Sequence, residues 1–181
     1  MIPTDILAEF YTPGTPLFET LVTHSKLVAR KAREVALSVA HLNPDLDFIE
    51  EAAMLHDIGI CLTNAPQIGC HGTHPYIWHG YLGAQLLKKK GMHRHALVCE
   101  RHPGTGISAD QIRDHNLGLP ARDMLPISLE EKIICFADKF YSKTPTSIET
   151  EKSVDDVLDI LSGYGEDQVT TFKEWLTLFG T

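Results

Sequence analysis

The sequence predicts an all-α protein. Apolar residues recur at helical spacing in several segments, Gly and Pro residues separate those segments, and no convincing alternation of apolar and polar residues predicts a strand. The 181 residues suffice for one domain with a single hydrophobic core. We predict a lead-in over residues 1–16, a main domain over 17–145, and C-terminal helices over 146–181 packed on that domain.

Two helices are predicted in the N-terminal third, after a breaker at Pro13–Pro16. The first is long and amphipathic and runs from Leu17 to about Leu42. Asp47 is the expected N-cap of the second, which carries His56 and is expected to stop at Gly59.

The remaining segments alternate between loops and further helices. Residues 61–75 are rich in Gly, Pro, Asn and His and predict a loop, and residues 118–126 are also irregular. Gly91 suits the position that follows a helix end, where a left-handed backbone is common. The predicted helices are residues 76–90, 93–101, a short one from 109, 129–141, 154–161 and 166–179.

The charge balance limits the classes of partner. The formal net charge is −8 and the isoelectric point is about 5.6, whereas a domain that binds nucleic acid through its phosphates is usually basic. No apolar run is long enough to span a bilayer, and no signal pattern opens the chain. We therefore expect no nucleic-acid or membrane partner, and a cytoplasmic location. The four cysteines have no zinc-binding spacing and are expected to be free thiols.

The dipeptide His56-Asp57 is the first candidate for chemistry. Neighbouring helical residues differ by about 100°, so both side chains can reach one point beside the end of the helix. Imidazole and carboxylate together suit Zn, Mn, Fe or Ni. An aspartate has two oxygens and can therefore bridge two cations, the arrangement that in-line phosphoryl displacement uses.

Four more polar residues lie in apolar helical segments. An imidazole or a carboxylate in such a segment is costly without a partner. All four in one small domain indicate a common partner, for which metal ions are the simplest choice. These residues are His24, His79, His102 and Asp138.

His24, His56-Asp57-Ile58-Gly59 and Asp138 together resemble the H…HD…D signature of the HD superfamily of metal-dependent phosphohydrolases. His79 and His102 resemble the added ligands of its six-ligand branch, and the resemblance covers roughly Leu21 to Tyr141. It implies an HD-domain helical bundle that binds two divalent or redox metal ions, such as Fe, Mn, Zn, Ni or Mg. By this analogy His24, His56, Asp57 and Asp138 hold one ion, and Asp57 bridges to a second ion held by His79 and His102.

The sequence departs from several subclasses of that family. Many relatives have lysine after His-Asp-Ile-Gly, where this chain has Ile60. The acidic pair of the alarmone hydrolases and the Gly-Tyr-Pro element of the cyclic dinucleotide phosphodiesterases are also absent, the latter replaced by Pro103-Gly104-Thr105-Gly106. These subclasses are therefore disfavoured.

The resemblance implies hydrolysis of a small phosphorylated metabolite or nucleotide. Asp57 is the expected catalytic bridge, and His74 is a candidate proton donor from the loop before His79. Candidate phosphate contacts are Arg101, Lys139 and Lys143, which lie beside metal ligands in the sequence. His115 is expected at the surface. Two alternatives stay open: a mixed-valent di-iron oxygenase with the same six ligands, and a non-enzymatic nucleotide sensor.

Overall fold

The computed structural model describes residues 2–144 and 146–180, and confirms the all-α fold class. Nine α-helices lie in these ranges, while the predicted domain boundary at Pro145 falls outside them. No helix in the described residues has the length and hydropathy needed to cross a bilayer. The helices are α1 Pro3–Ala8, α2 Pro16–Ser38, α3 Leu46–Leu55, α4 His79–Lys89, α5 His93–Arg101, α6 Ala109–Asp114, α7 Leu129–Asp138, α8 Val154–Ser162 and α9 Glu166–Phe179.

The ends of α2 and α3 differ from the sequence prediction. Helix α2 ends at Ser38 rather than near Leu42, because the chain tightens into a 3-10 turn that ends at Asn43 in the left-handed region (φ 55°). The N-cap of α3 is Asp45 and not Asp47, because the Asp45 carboxylate accepts the backbone N–H of Phe48 at 3.1 Å. Gly91 has φ 75° after α4, as predicted.

The predicted lead-in contains helix α1 and packs into the molecule. Ile6, Leu7 and Tyr11 are buried. The Tyr11 hydroxyl donates to the Ile58 carbonyl at 2.7 Å and accepts the backbone N–H of Cys61 at 3.1 Å. The lead-in thus fixes the 3-10 helix Ile58–Leu62, which directly follows Asp57.

The loop between α3 and α4 contains a small sheet that the sequence did not predict. Strands β1 (Asn64–Ala65) and β2 (Cys70–His71) pair antiparallel, with Asn64 opposite His71 and Ala65 opposite Cys70. Two residues per strand are too few to show alternation in a sequence.

The largest apolar cluster joins α2, α3 and α7 to both C-terminal helices. At its centre, the ring of Phe136 stacks on Phe172 with centroids 4.9 Å apart and meets Phe179 edge-on at 5.1 Å. A second cluster joins α1, the start of α2, and α4 with α5. Because α8 and α9 share the core of α7, they lie close to the end of α7 and to Asp138.

Candidate metal centre

The structure brings all six predicted ligands into two adjoining donor clusters. His24, His56, Asp57 and Asp138 form the first donor cluster, and Asp57, His79 and His102 form the second donor cluster. All six residues are buried. The two clusters share Asp57, whose Oδ2 faces the first and whose Oδ1 faces the second.

Most of these side chains come from helix ends, which the fold holds together. His56 follows the last residue of α3, His79 opens α4, His102 follows α5 and Asp138 ends α7. His24 is the exception and lies inside α2. Helix ends approach one another more closely than helix middles, so ligands from several helices reach one point.

Two glycines allow the close approach beside Asp57. A Cβ on Gly59 would lie 2.2 Å from the His79 carbonyl oxygen and 2.4 Å from the Gly83 backbone N. A Cβ on Gly83 would in turn lie 2.5 Å from the Cys99 Sγ and 2.9 Å from the Gly59 N. The sequence assigned Gly59 to a helix stop, but the structure gives it this packing role, since α3 has already ended at Leu55.

Three of the four histidines have an orientation that suits metal binding. The Nδ1 atoms of His56, His79 and His102 lie 2.6, 2.7 and 2.8 Å from the backbone carbonyl three residues earlier. A proton on Nδ1 that is donated to this carbonyl leaves the lone pair on Nε2, which faces the donor cluster. The backbone thus fixes both the ring and the tautomer.

The separations between donor atoms match those around a single ion. In the first cluster, His24 Nε2 lies 3.0 Å from Asp138 Oδ1, and His56 Nε2 lies 3.0 Å from Asp57 Oδ2. In the second, the Nε2 atoms of His79 and His102 are 3.0 Å apart, and each lies 3.4 Å from Asp57 Oδ1. Two atoms about 2.1 Å from one ion, at an angle of about 90–110°, are about 3.0–3.4 Å apart.

The charges also suit cations. Although burial raises the pKa of Asp57, His56 and Lys143 hold it well below its usual value. Burial would lower the pKa of His56, but Asp57 and Asp138 outweigh it and raise that pKa to about 9. In the second cluster, burial and the neighbouring His102 lower the pKa of His79 to about 3, so this imidazole is neutral. The first cluster thus contains two carboxylates, Asp57 and Asp138, whose negative charge a bound cation could balance in place of His56 and the neighbouring lysines.

Unsatisfied polar atoms complete the test of fit. In the described part of the chain, the Nδ1 of His24 and both carboxylate oxygens of Asp57 lack a partner with hydrogen-bond geometry, although the Lys143 Nζ lies 2.7 Å from Asp57 Oδ2. Buried polar groups without hydrogen bonds are costly, so Asp57 Oδ1, which has His79 and His102 at 3.4 Å, calls for a ligand. Imidazole and carboxylate donors at these distances can hold metal ions at both clusters.

Two of the predicted cationic residues border the donor clusters. The Lys143 Nζ lies 2.7 Å from Asp57 Oδ2, and the Lys139 Nζ lies 2.7 Å from Asp138 Oδ2. Lys139 also donates to the His102 carbonyl at 3.0 Å and therefore links ligands of both clusters. Burial lowers the pKa of both lysines, but nearby carboxylates outweigh it. Asp138 raises the pKa of Lys139 above its usual value, and Asp57 does the same for Lys143.

The other two predicted residues have different neighbours. The Arg101 guanidinium points to α7 and pairs with Glu131 at 2.8 Å, so it is not free for phosphate. The His74 ring stacks on Trp78, with centroids 5.2 Å apart and an interplanar angle of 17°. Neither Arg101 nor His74 is among the described residues that line the cavity beside the donor clusters.

This cavity has a volume of about 730 Å³ and reaches His79, His102 and Asp138. The sequence analysis did not assign several of its lining residues to the site, among them Tyr76, His115, Lys152 and Tyr164. Tyr76 stacks on His79 with ring centroids 4.7 Å apart. Tyr76 lies three positions before the predicted ligand His79, a helical spacing that could have identified it, whereas no local signal marks the others.

The loop after His102 is held by the C-terminal helix α9. The Gln168 side chain accepts the backbone N–H of Thr105 at 2.6 Å and donates to the Gly106 carbonyl at 2.9 Å. Gly104, with φ 60°, has no room for a Cβ, which would lie 2.4 Å from the Gln168 Oε1. Gln168 therefore positions the cavity wall next to a predicted metal ligand.

The model of the HD domain family matches residues 21–142, and the chain belongs to this family. The match includes all six residues of the two donor clusters. The family assignment predicted from the His-Asp pattern is thus confirmed, and so is the HD-type helical fold.

Two solved structures share this fold. Both are of the HD domain of the phosphodiesterase PgpH of L. monocytogenes, one of them in complex with cyclic-di-AMP. The first matches with a TM-score of 0.51 and 17% identity over 90% of this chain and 93% of that chain. The second matches with a TM-score of 0.50 and 18% identity over 94% of this chain and 99% of that chain.

Curated relatives are similar over part of their length. An uncharacterized protein of Methanocaldococcus jannaschii is 38% identical over 123 residues, which are 66% of this chain and 65% of that protein. The tRNA (cytidine(56)-2′-O)-methyltransferase of Picrophilus torridus is 37% identical over 60% of this chain, and that of Thermoplasma volcanium is 30% identical over 67%. The matches span 29% and 32% of these methyltransferases, so their activity does not transfer to this chain.

Proposed function

We propose that this protein is a metal-dependent phosphohydrolase that acts on a small phosphorylated metabolite or nucleotide. The observation that carries the proposal is the carboxylate of Asp57, whose two oxygens face two separate donor clusters beside one cavity. Two ions held in this way would supply Lewis acidity to a phosphoryl group and would activate a water as the nucleophile.

The protein's own residues give the site its order. Asp57 fixes the spacing between the two donor clusters, and the backbone carbonyls fix the rings of His56, His79 and His102. Lys139 holds Asp138 in place. Lys143 lines the cavity, and its ammonium pairs with Asp57 Oδ2, an oxygen of the first donor cluster. A metal ion in that cluster would compete for this oxygen, and the ammonium so released is the cation we assign to a substrate phosphate.

The proton donor for the leaving group is assigned differently from the sequence prediction. His74 stays a prediction without a supporting contact, because its ring stacks on Trp78. His115 and Tyr76 both line the cavity and are closer candidates. Arg101 is dropped from the proposed phosphate contacts because Glu131 already binds it.

A small substrate suits the charges around the cavity. The formal net charge of −8 opposes a polymer of phosphates, whereas a small anion meets the local cations Lys143 and Lys152. Cyclic-di-AMP, present in the complex of the L. monocytogenes HD domain, belongs to the general class of small phosphorylated nucleotides. We extend this class, and not that compound, to the present protein.

The test is phosphate release by protein loaded anaerobically with Mn²⁺, Fe²⁺ or Zn²⁺, assayed on a panel of nucleotides, sugar phosphates and oligonucleotides. We expect release from at least one small phosphate, with loss of activity on chelation and in Asp57→Ala. Each assay is repeated with oxygen while dioxygen is monitored. Dioxygen consumption coupled to substrate loss would replace the hydrolase by the oxygenase, and faster turnover of oligonucleotides would refute the small substrate.

A further inference from the structure

The cavity beside the donor clusters is lined by both charged and apolar residues. The charged lining includes three lysines, Lys139, Lys143 and Lys152, together with Asp138 of the first donor cluster. The apolar lining includes Ile77, Ile107, Leu117, Ile160 and Tyr164. A volume of about 730 Å³ exceeds what a bare phosphate fills and falls in the range of about 300–1,000 Å³ that is usual for organic ligands.

Lys152 differs from the other two lysines because no carboxylate among the described residues forms an ion pair with it. Lys139 pairs with Asp138 and Lys143 with Asp57, whereas Lys152 forms no ion pair among residues 2–144 and 146–180. Its Nζ donates to the Lys139 carbonyl at 3.4 Å, and its backbone N–H donates to the Phe140 carbonyl at 2.9 Å. The chain thus holds this ammonium beside the cavity with donor capacity to spare.

The surroundings of Lys152 favour an anion. Burial lowers the pKa of Lys152, and the positive charges of Lys139 and Lys143 lower it further against the opposing effect of Asp138. A negative group in the cavity would relieve this repulsion and would use the free donors.

Tyr164 and Ile160 provide apolar surface at the same cavity. They are 65% and 47% exposed and belong to the end of α8 and the turn that follows it. A phenol ring on a cavity wall can stack on a planar group or cover an aliphatic one. Two large exposed side chains that line one cavity indicate the position of a ligand's organic part.

We propose that residues 152–164 form the specificity element of the site. Lys152 binds a second anionic group of the substrate, and Tyr164 contacts its aromatic or apolar body. The substrate class is therefore an organic phosphate that carries another anionic group, in preference to a compact polar phosphate. This inference rests on the proposed function, which places the reacting phosphate at the donor clusters. Residues 152–164 lie outside the match to the family, which covers residues 21–142.

The experiment measures binding by calorimetry on the metal-loaded full chain, with three probes that are not turned over. The probes are α,β-methylene-ADP, a non-hydrolysable phosphonate analogue of AMP, and inorganic phosphate. Lys152→Met should weaken the binding of α,β-methylene-ADP about tenfold or more, which is the loss expected for one charge-assisted hydrogen bond. The affinity for the AMP analogue should change much less. Tyr164→Ala should weaken both adenine-bearing probes and leave inorganic phosphate unchanged.

The controls are Lys173→Met and Leu178→Ala, which alter exposed residues of α9 away from the cavity lining. Metal content and melting temperature of every variant are compared with the parent, which separates lost recognition from lost folding. Equal affinity of the parent for all three probes, or indifference of all three to both cavity substitutions, would overturn the specificity element.

Hydrolysis is measured separately, so the two proposals fail in different ways. If binding depends on Lys152 and Tyr164 but no substrate releases phosphate, the specificity element is supported and the hydrolase function is refuted. If phosphate is released with the same KM and kcat in the parent and both variants, the hydrolase function is supported and the specificity element is refuted.

Discussion

Replacement of Asp57 by alanine should remove both metal ions, because this residue contributes to both donor clusters. His79 belongs to the second donor cluster alone, so His79→Ala should lose mainly that ion. Metal analysis of the purified variants should therefore give about two ions per chain for the parent, about one for His79→Ala and close to none for Asp57→Ala.

The effect on stability can be estimated from linkage. A ligand present at about a hundred times its dissociation constant stabilises the folded protein by about 2.7 kcal/mol. For a chain of 181 residues, about 2–4 °C of melting temperature per kcal/mol converts this to about 5–11 °C. The addition of Mn²⁺ should raise the melting temperature of the parent by this amount and leave that of Asp57→Ala nearly unchanged.

The assay needs variants that separate lost binding from lost folding. Asp57→Asn keeps the shape of the side chain, and Asp47→Ala removes an exposed carboxylate from α3, the helix before Asp57, as a control. Helical circular dichroism before metal addition tests whether each variant folds. Folded Asp57→Ala with both ions, or His79→Ala with neither, would refute the shared bridge.

Three further predictions concern the residues that support the site. The buried Glu100 carboxylate accepts two hydrogen bonds from the Arg122 guanidinium, at 2.6 and 2.9 Å. Glu100→Gln should therefore lower the free energy of unfolding by about 1.5–3 kcal/mol, whereas the exposed control Glu174→Gln should change it little. Burial raises the pKa of Glu100, but Arg122 and Lys88 lower it below the usual value. The stability that Glu100 contributes is therefore present above its unfolded-state pKa and is lost as the pH falls through its folded-state pKa. Urea titrations should show that the stability difference between Glu100→Gln and the parent is smaller at acid pH than at neutral pH, and a constant difference would contradict the pairing. Gly59→Ala should lower both the melting temperature and the metal content, because the added Cβ would lie 2.2 Å from the His79 carbonyl oxygen. Full metal content with an unchanged melting temperature would show that the backbone moves enough to accommodate the Cβ. Gln168→Leu leaves two backbone groups without their partner and should cost about 1–3 kcal/mol in chemical unfolding, whereas an unchanged midpoint would mean that water replaces the amide.

Four members of the donor clusters could be selected from the sequence because each is a polar residue in an apolar helical segment. Asp138 follows Ile133, Ile134, Phe136 and Ala137. A polar residue in such a position needs a partner, and that requirement is visible without coordinates. The same reasoning selected His24, the one donor inside a long helix, and their role as metal ligands stays a prediction.

Nearness in sequence to a predicted metal ligand did not determine which cationic side chains line the cavity. Arg101 precedes the ligand position His102 by one residue, but one step along a helix turns a side chain by about 100°. This turn directs Arg101 to Glu131 on α7 and away from the cavity. Lys139 does contact the site, but its ammonium is already bound to Asp138 and to the His102 carbonyl.

The residues of the cavity wall could not be predicted because nothing in their own segments marks them. Lys152 and Tyr164 occur in polar stretches that read as ordinary surface, and Gln168 lies in the first turns of an amphipathic helix. Their role arises when α8 and α9 pack on α7 and the wall forms beside His102. Such packing depends on contacts distant in sequence, which a local pattern does not contain.

The charges around the cavity also show how an acidic protein could bind the anionic substrate that we propose. The net charge of −8 belongs to the whole chain, whereas the two carboxylates of the donor clusters are already matched by Lys139 and Lys143. Lys152 then leaves the cavity cationic even before any metal ion is counted. Salt screens the electrostatic interaction between exposed charges, with a screening length of about 8 Å at physiological ionic strength. An anion inside the cavity therefore interacts more strongly with these lysines than with charges on the outer surface. The same net negative charge would repel a long polyanion, whose many phosphates cannot all reach the cavity. On the proposed function, the charge distribution would therefore select substrates by size as well as by sign.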